Sequence, residues 1–324
     1  MEATRRGYRR DVASLVVEAR GLRLDVAGTA VVRDVDLEVR SGEVVGLVGA
    51  GGAGTSALLA MLATATRLTS GHLSVLGLDP AVDGPRIRGR TGVATQHDSL
   101  DPRLRARAEL SSYARCFGYA ARAAHGRADA ALAFAGLTDR ARTVVGRLTR
   151  GERRRLQVAR AFVNDPELVL LDEPTAGCSP RDTDAIGDLV LRMRASARAV
   201  VLATHSFEEA ERVCDRVLVM DAGRVLVEGA PSSLLAGNRP SEVVEVRTPC
   251  GADGAALAVL GDLVDRVEVH GDRVLAYTSD GLTVAERAVA GGLAPDGTRV
   301  RPVTPDEALG LLADDEARRW RSVE

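Results

Sequence analysis

The stretch VGAGGAGTSALL, residues 48–59, sets Gly49, four residues, Gly54, one residue and Ser56 in the order G-x-x-x-x-G-K-[ST] of a phosphate-binding loop, with Thr55 where the lysine belongs. In such a loop, consecutive backbone N–H groups turn onto an anion, and the following helix adds the partial positive charge of its N-terminus. Gly49, Gly51, Gly52 and Gly54 supply the backbone freedom, and Thr55, Ser56 and Ala57 open the helix. The Ser56 hydroxyl is placed to hold Mg2+. The acidic complement is LVLLDEP, where Asp172 ends an apolar run and can hold the metal through water. Glu173 beside it can orient or deprotonate an attacking water. Taken alone, the glycine stretch also fits a structural turn, Asp172 and Glu173 a strand end, and His205 an ordinary strand-end histidine.

The elements around these residues have the order such a loop requires: strand, glycine loop, helix. EVVGLVG is a short apolar run into the loop, and TSALLAMLATATRL leaves it with helical spacing at Leu58, Leu59, Leu62 and Leu68. SLVVEARGLRL and AVVRDVDLEVRSG alternate apolar and polar residues and predict an antiparallel pair. Residues 100–148, rich in Ala and Arg, predict a helical region. GERRRLQVARAFV continues it as a helix with Leu156, Ala159, Phe162 and Val163 on one face. ELVLLDEP and AVVLATHS predict buried strands. Between them DTDAIGDLVLRMRAS is an amphipathic helix with Ile186, Leu189, Val190 and Met193 aligned. VCDRVLVMDAGRVLVEG predicts a hairpin turning at Asp221–Gly223. Alternating strands and helices imply a mostly parallel sheet with helices on both faces. Beyond AGNRPSE the pattern becomes strand Val243–Arg247, helix Ala255–Leu263, hairpin Arg266–Tyr277, helix Leu282–Ala290, strand Thr298–Val303 and a last helix. That order suits a ferredoxin-like α+β module.

Further pieces fall in a telling order. Gln96 lies between the glycine loop and the helical region; LTRGE, residues 148–152, opens a helix before the Asp-Glu strand; LDEPTAGCSP follows; and ATHS ends the next strand at His205. Over about residues 14–238 the chain resembles the ATP-binding subunit of an ABC transporter, with P-loop, Gln loop, signature, Walker B, D-loop and switch histidine in sequence. The segment after 240 is similar to the extra C-terminal domain of daunorubicin/doxorubicin-resistance exporter ATPases. The resemblance implies an α/β P-loop NTPase fold of the ABC-cassette kind, with a mixed sheet and a helical subdomain at about 100–160. It implies three parts: an Arg-rich arm over 1–13, a nucleotide-binding domain over 14–238, and a small C-terminal α+β ferredoxin-like domain over 239–324.

The same resemblance implies ATP and Mg2+ as cofactors, an integral membrane permease as partner, and a place at the cytoplasmic face of the membrane. It implies head-to-tail pairing, as a homodimer or as a heterodimer with a complete ATP-binding subunit. Each ATP then lies between the P-loop of one subunit and the signature of the other. By position, Ser56, Gln96 and Asp172 attend the Mg2+, and Glu173 acts on the water. Thr149 and Gly151 contact the γ-phosphate across the dimer, and His205 binds that phosphate within its own subunit. Gln96 also reports to the permease.

Four positions depart from the family pattern. Thr55 removes the cation that neutralises the phosphates. A charge-assisted hydrogen bond contributes on the order of 1.5–3 kcal/mol, and its worth rises where transition-state charge must be stabilised. Val26 stands where the family keeps an aromatic ring for adenine, Ser179 replaces the D-loop aspartate, and Arg150 replaces the first signature glycine. Two repairs are conceivable: Arg150 acting across the dimer as an arginine finger, or pairing with a complete subunit whose ATP this chain's LTRGE serves. The expectations are an exporter subunit with slow ATP hydrolysis, or a pseudo-ATPase that scaffolds or regulates a transporter or another ATPase.

Composition excludes other classes. The chain has 324 residues, 45% of them hydrophobic, and a net charge of −2, so no overall field points to nucleic acid. All 43 basic residues are arginine, and the run RGERRR predicts a solvated helix face, since aromatics are only 3% and none interleave with it. Cys116, Cys178, Cys214 and Cys250 lie too far apart for a zinc motif or a disulfide framework. Apolar runs are of strand length, well short of the roughly 20 residues that span a bilayer. The start, MEATRRGYRRDV, has no apolar segment behind its Arg pairs, so it reads as no secretion signal but as a solvated arm, or as a weak contact with anionic lipid.

Overall fold

Alternation of apolar and polar residues makes β1 (Leu15–Val26) and β2 (Thr29–Arg40) an antiparallel ribbon, paired from Leu15 with Arg40 down to Val26 with Thr29. Ala27 and Gly28, both at positive φ, make its two-residue turn. The computed structural model describes residues 14–236, 240–248, 258–293, 298–308 and 310–311. The expected arm over residues 1–13 lies outside the described residues.

A wholly buried strand, β3 (Val44–Val48), runs into the glycine loop and α1 (Thr55–Leu62). The helix stops at Leu62 rather than continuing toward Leu68, because Ala63 caps it and Thr64 turns to φ 56°. Leu68 packs on the core from the loop that follows. β4 (Ser70–Val75) adds to the free edge of β1, then come α2 (Pro80–Arg90), capped by Asp79, and the short β5 (Thr91–Ala94). The helical region expected near 100–160 is α3 (Ala106–Cys116), α4 (Ala121–Phe134), two short 3-10 turns and α5 (Arg150–Ala161).

β6 (Leu168–Asp172), α6 (Pro180–Ala195), β7 (Ala199–Thr204), α7 (Phe207–Val213), β8 (Arg216–Asp221) and β9 (Arg224–Gly229) complete this part. The sheet order is β5-β6-β7-β3-β8-β9, parallel except for β9. Ile186, Leu189, Val190 and Met193 of α6 are all buried, as the helical pattern predicts. The result is a mixed sheet with a helical subdomain inserted between β5 and β6.

The chain divides into two compact units at Pro231/Ser232, the start of α8 (Pro231–Ala236), ahead of the 238/239 division that the resemblance implies. The second unit holds β10 (Glu242–Arg247), β11 (Arg266–His270), β12 (Arg273–Thr278), α9 (Gly281–Ala290) and β13 (Thr298–Pro302). Its antiparallel order β11-β12-β10-β13 is the split arrangement of a ferredoxin-like sheet. Of the expected helix Ala255–Leu263, residues 258–260 are helical, 261–263 form a turn and 255–257 lie outside the described residues. Helical residues 305–308 and 310–311 stand where the last helix is expected. Val244, Val246, Val274 and Ala276 face Val284, Ala285 and Ala288 in its core.

Candidate functional site

The glycine loop is shaped by close approaches. A Cβ at Gly49 would lie 2.6 Å from both the Ala53 Cβ and the Met220 carbonyl, and one at Gly54 would lie 2.7 Å from the Val31 carbonyl. Gly54 caps α1 in the left-handed region at φ 100°, with no side chain taking up the first N–H groups of the helix. The Gly49 N–H donates to the Thr204 carbonyl at 3.2 Å, and the Gly223 N–H to the Ala53 carbonyl at 3.0 Å. β7 and the β8–β9 turn thus fix the loop from beneath. Beyond the adjacent residues of the chain, no atom lies within 4 Å of the space a Cβ would take at Gly51 or Gly52. This is an open cradle of backbone donors with no acidic residue in the first helical turn.

Order β6-β7-β3 in the sheet brings the acidic residues beside this cradle, at the carboxyl ends of parallel strands. The Ser56 hydroxyl donates to Oδ1 of Asp172 at 3.0 Å. Burial raises the Asp172 carboxyl above its ordinary range, the Ser56 bond opposes this, and the neighbouring Glu173 charge adds to the rise. Glu173 leaves the strand at φ 48°, a strained conformation for a residue with a side chain, and its N–H donates to the Ala203 carbonyl at 2.9 Å. Its carboxylate lies 2.8 and 2.9 Å from Nδ1 of His205.

A hydroxyl and a carboxylate oxygen side by side suit Mg2+ carried in with phosphates. The described residues hold no cluster of three or more His, Cys, Asp or Glu that would suit a protein-only metal centre. The residues therefore fit Mg2+ and a polyphosphate on the backbone and acidic sides. The half-buried Thr55 brings no charge to the cradle.

Gln96 is exposed in the loop after β5, the neighbour of β6. Thr149 and Gly151 stand apart from the glycine loop, at the start of α5 against α6 and the D-loop. Thr149 caps α5 reciprocally with Glu152, its oxygen accepting from the Glu152 N–H at 3.2 Å while Glu152 accepts from the Thr149 N–H at 2.9 Å. A Cβ at Gly151 would fall 2.0–2.2 Å from the Asp182 carboxyl, so α6 packs directly on this glycine. Arg150 turns inward: its Nη2 donates to the Ala176 carbonyl at 3.1 Å, so the guanidinium is engaged within its own chain rather than extended as a finger. Ser179 caps α6, accepting from the Asp182 N–H at 3.3 Å, and its hydroxyl donates to Asp182 at 2.7 Å. Val26 ends β1 half exposed.

Two buried polar residues escaped the reading of the sequence. Glu209 on α7 accepts from the Thr204 hydroxyl at 2.6 Å, directly behind His205, and burial raises its carboxyl. Gln157 on α5, 1% exposed, donates from Nε2 to the carbonyls of Thr95 and His97 at 2.8 Å each. The signal for Glu209 was the Ser206 cap and acidic first turn of a helix that starts straight after His205. Gln157 gave no signal, because a glutamine amid arginines looks like a surface residue.

The family model described as ABC transporter matches residues 32–176. The Nod factor export ATP-binding protein I of Cupriavidus pinatubonensis is 37% identical over 266 residues, covering 82% of this chain and 81% of its own length. The protein of that name from Rhizobium sp. (strain N33) is 34% identical over 269 residues, covering 83% and 88%. Among solved structures, cbiO1 from Clostridium perfringens, part of the ABC transporter complex cbiONQ, superposes with a TM-score of 0.63 at 25% identity, covering 69% of this chain and 91% of its own. A dimeric ATP-binding cassette bound to ADP and Pi shares the fold at TM-score 0.60 and 23% identity.

Proposed function

Because the chain belongs to the ATP-binding subunits of ABC transporters, we propose that it serves an exporter, coupling ATP binding and slow hydrolysis to a membrane permease. The observation that carries this is an acidic half-site standing complete beside a cradle with no lysine: Ser56 on Asp172 at 3.0 Å, and Glu173 against His205 at 2.8 Å. The backbone from Gly49 to Ala57 would bind and orient the phosphates, Ser56 and Asp172 would hold the Mg2+, and Gln96 would attend the metal and the water. Mg2+ when bound supplies charge neutralisation for the phosphates. Glu173 takes a proton from water at its carboxylate, and His205 holds that carboxylate in place. At roughly 1.4 kcal/mol per decade, the missing lysine lowers turnover by one to several decades.

The chain works in head-to-tail pairs, and a complete ATP-binding subunit is the partner that suits it. Its Thr149–Gly151 segment, with an intact reciprocal cap, then serves the partner's ATP while its own P-loop holds nucleotide weakly. The permease docks near the Gln loop, at a cavity of about 690 Å3 lined by Arg88, Tyr113, Phe117 and Tyr119. No helix among the described residues is long and apolar enough to cross a membrane. Through its contact with the permease the protein sits at the cytoplasmic face of the membrane. The relatives named for Nod factor export favour the outward direction, and the similarity to drug-resistance ATPases suggests a hydrophobic natural product as cargo.

A second reading, a pseudo-ATPase that only scaffolds, is favoured by Thr55 together with the half-exposed Val26. Titration calorimetry with MgATP on the wild type and Thr55→Lys, with phosphate release from the same samples, separates them. Binding by the wild type and faster release by the variant support the slow subunit. Absence of binding by either variant at millimolar ATP overturns it in favour of the scaffold.

A further inference from the structure

A further cavity, of about 410 Å3, lies between the end of α1, the loop that follows it, and α2. Met61, Leu68, Leu73, Pro80, Val82 and Pro85 make its apolar wall, and Thr64, Thr66, Arg67 and Arg88 are its polar groups. Among the described residues no carboxylate lines it. A concave apolar wall with a few convergent donors is the usual make-up of a ligand site. Val82, 78% exposed, carries the apolar wall out to the rim.

The positive charge in this cavity is unopposed. The carboxylates of α2 and its cap are committed elsewhere: Asp83 pairs with Arg86 at 2.8 Å, and Asp79 accepts from the Ala81 N–H at 2.8 Å. Arg90, at the end of the helix, pairs with Glu167 at 2.6 Å. Arg88 has no carboxylate partner among the described residues; its Nη1 donates to the Thr64 hydroxyl at 2.9 Å. Thr64 is turned toward it at φ 56°, where α1 ends. A Cβ at Gly84 would lie 3.1 Å from that Nη1 and 3.7 Å from the Thr64 hydroxyl, so the glycine leaves room for the contact. Arg67, three residues after Thr64 and exposed, likewise meets no carboxylate among the described residues. Guanidinium forks and hydroxyls on one wall are the donor set that phosphate oxygens take.

We propose that this cavity binds the phosphate of an anionic phospholipid headgroup, with Arg67 and Arg88 on the phosphate oxygens and the apolar wall against the glycerol and the first acyl carbons. The phosphate chemistry stands on the cavity itself. The choice of a lipid as its source rests on the permease docking proposed above: Pro85 and Arg88 border both cavities, so a headgroup held here lies beside that contact, at the membrane surface. Anionic lipid then strengthens the hold of this subunit on the membrane next to the permease, and rising salt weakens it.

The test is flotation of the full chain with phosphatidylcholine vesicles, with and without phosphatidylglycerol, beside calorimetry with glycerol phosphate, the same headgroup chemistry without acyl chains. The expected result is binding that requires phosphatidylglycerol and falls about tenfold or more when Arg67→Gln and Arg88→Gln are combined. Val82→Glu, at an exposed position that leaves both arginines in place, should lower it about fivefold. Arg122→Gln combined with Arg181→Gln removes the same charge from exposed positions on α4 and α6, and should change it less than about twofold. Equal losses in the two double variants are what general attraction of charge gives, and they overturn the site. Glycerol phosphate binding that needs Arg67 and Arg88, with vesicle binding that does not, assigns the cavity to a soluble phosphate and overturns the lipid. No permease is present in these samples, so either failure leaves the docking of the permease standing.

Discussion

The carboxylate of Glu173 meets Nδ1 of His205 with both oxygens, at 2.9 and 2.8 Å, although the two residues end different strands. Register places Asp172 beside Ala203, so Glu173 leaves β6 level with Thr204, one residue before His205. Glu173 is held there at φ 48° by the bond from its N–H to Ala203. A base aimed by a histidine needs its charge, so Glu173→Gln in a Thr55→Lys background should lower phosphate release about 10²–10⁴-fold. ATP affinity from calorimetry should stay within about threefold, since the carboxylate acts on water rather than on the phosphates. Unchanged release would remove Glu173 from the chemistry.

Restoring the cation is the most direct intervention. Thr55→Lys adds a charge-assisted bond of about 1.5–3 kcal/mol, which is about 10- to 100-fold in MgATP affinity. Calorimetry of both proteins measures it. An affinity that does not change would mean that the open space over Gly51 and Gly52 receives no phosphate.

Adenine recognition is testable apart from phosphate binding. Val26 is 51% exposed at the end of β1, with no ring to offer a base. Val26→Tyr should tighten ATP by about 1–3 kcal/mol through stacking, and should leave inorganic tripolyphosphate unaffected. A gain for both ligands would place the effect elsewhere than on the base.

Asp172 gives a pH signature. Burial lifts its carboxyl above the unfolded value, so the folded chain holds this proton more tightly. Its contribution to stability without nucleotide therefore rises as pH falls through its titration, while the same proton competes with Mg2+. Asp172→Asn should raise the melting temperature of the nucleotide-free protein at pH 7, and should abolish the further stabilisation by MgATP. Scanning calorimetry from pH 5 to 8 reads both, and a fall in the melting temperature of the nucleotide-free variant contradicts the sign.

Much of this was legible in the sequence because it was written as pattern. The apolar run Val44–Val48 entering a glycine loop, the alternation in β1 and β2, and the aligned Ile186, Leu189, Val190 and Met193 each declare an element by period. α2 escaped, since a polar segment with Pro85 inside it has no apolar stripe and is helical through its Asp79 cap and packing. β5 has only four residues, and its place beside β6 comes from the sheet rather than from its composition. At the site, residue types announced Ser56, Asp172, Glu173 and His205, while Gln157 and Glu209 were hidden. A buried polar side chain is defined by the partners the fold brings to it, and Gln157 finds its own about 60 residues away, in the Thr95–His97 loop.

Gly151 carries a prediction that separates packing from phosphate binding. The resemblance assigns this glycine to the partner's γ-phosphate, yet a side chain here would first strike Asp182, whose carboxyl oxygens lie 2.2 Å from the position of a Cβ. Asp182 is itself held by the Ser179 hydroxyl at 2.7 Å, at the start of a helix with a buried apolar face, so it has little freedom to withdraw. Gly151→Ala should therefore destabilise the first unit by about 1–3 kcal/mol, as overpacking does, with or without nucleotide. Asp182→Ala removes the obstructing carboxyl, and adding it to Gly151→Ala should recover at least about half of the loss, the non-additivity expected of residues in contact. Urea unfolding of the two single variants and the double variant completes the cycle. Strict additivity would mean that α6 does not bear on the signature glycine, and that the glycine is kept for what approaches it from outside the chain.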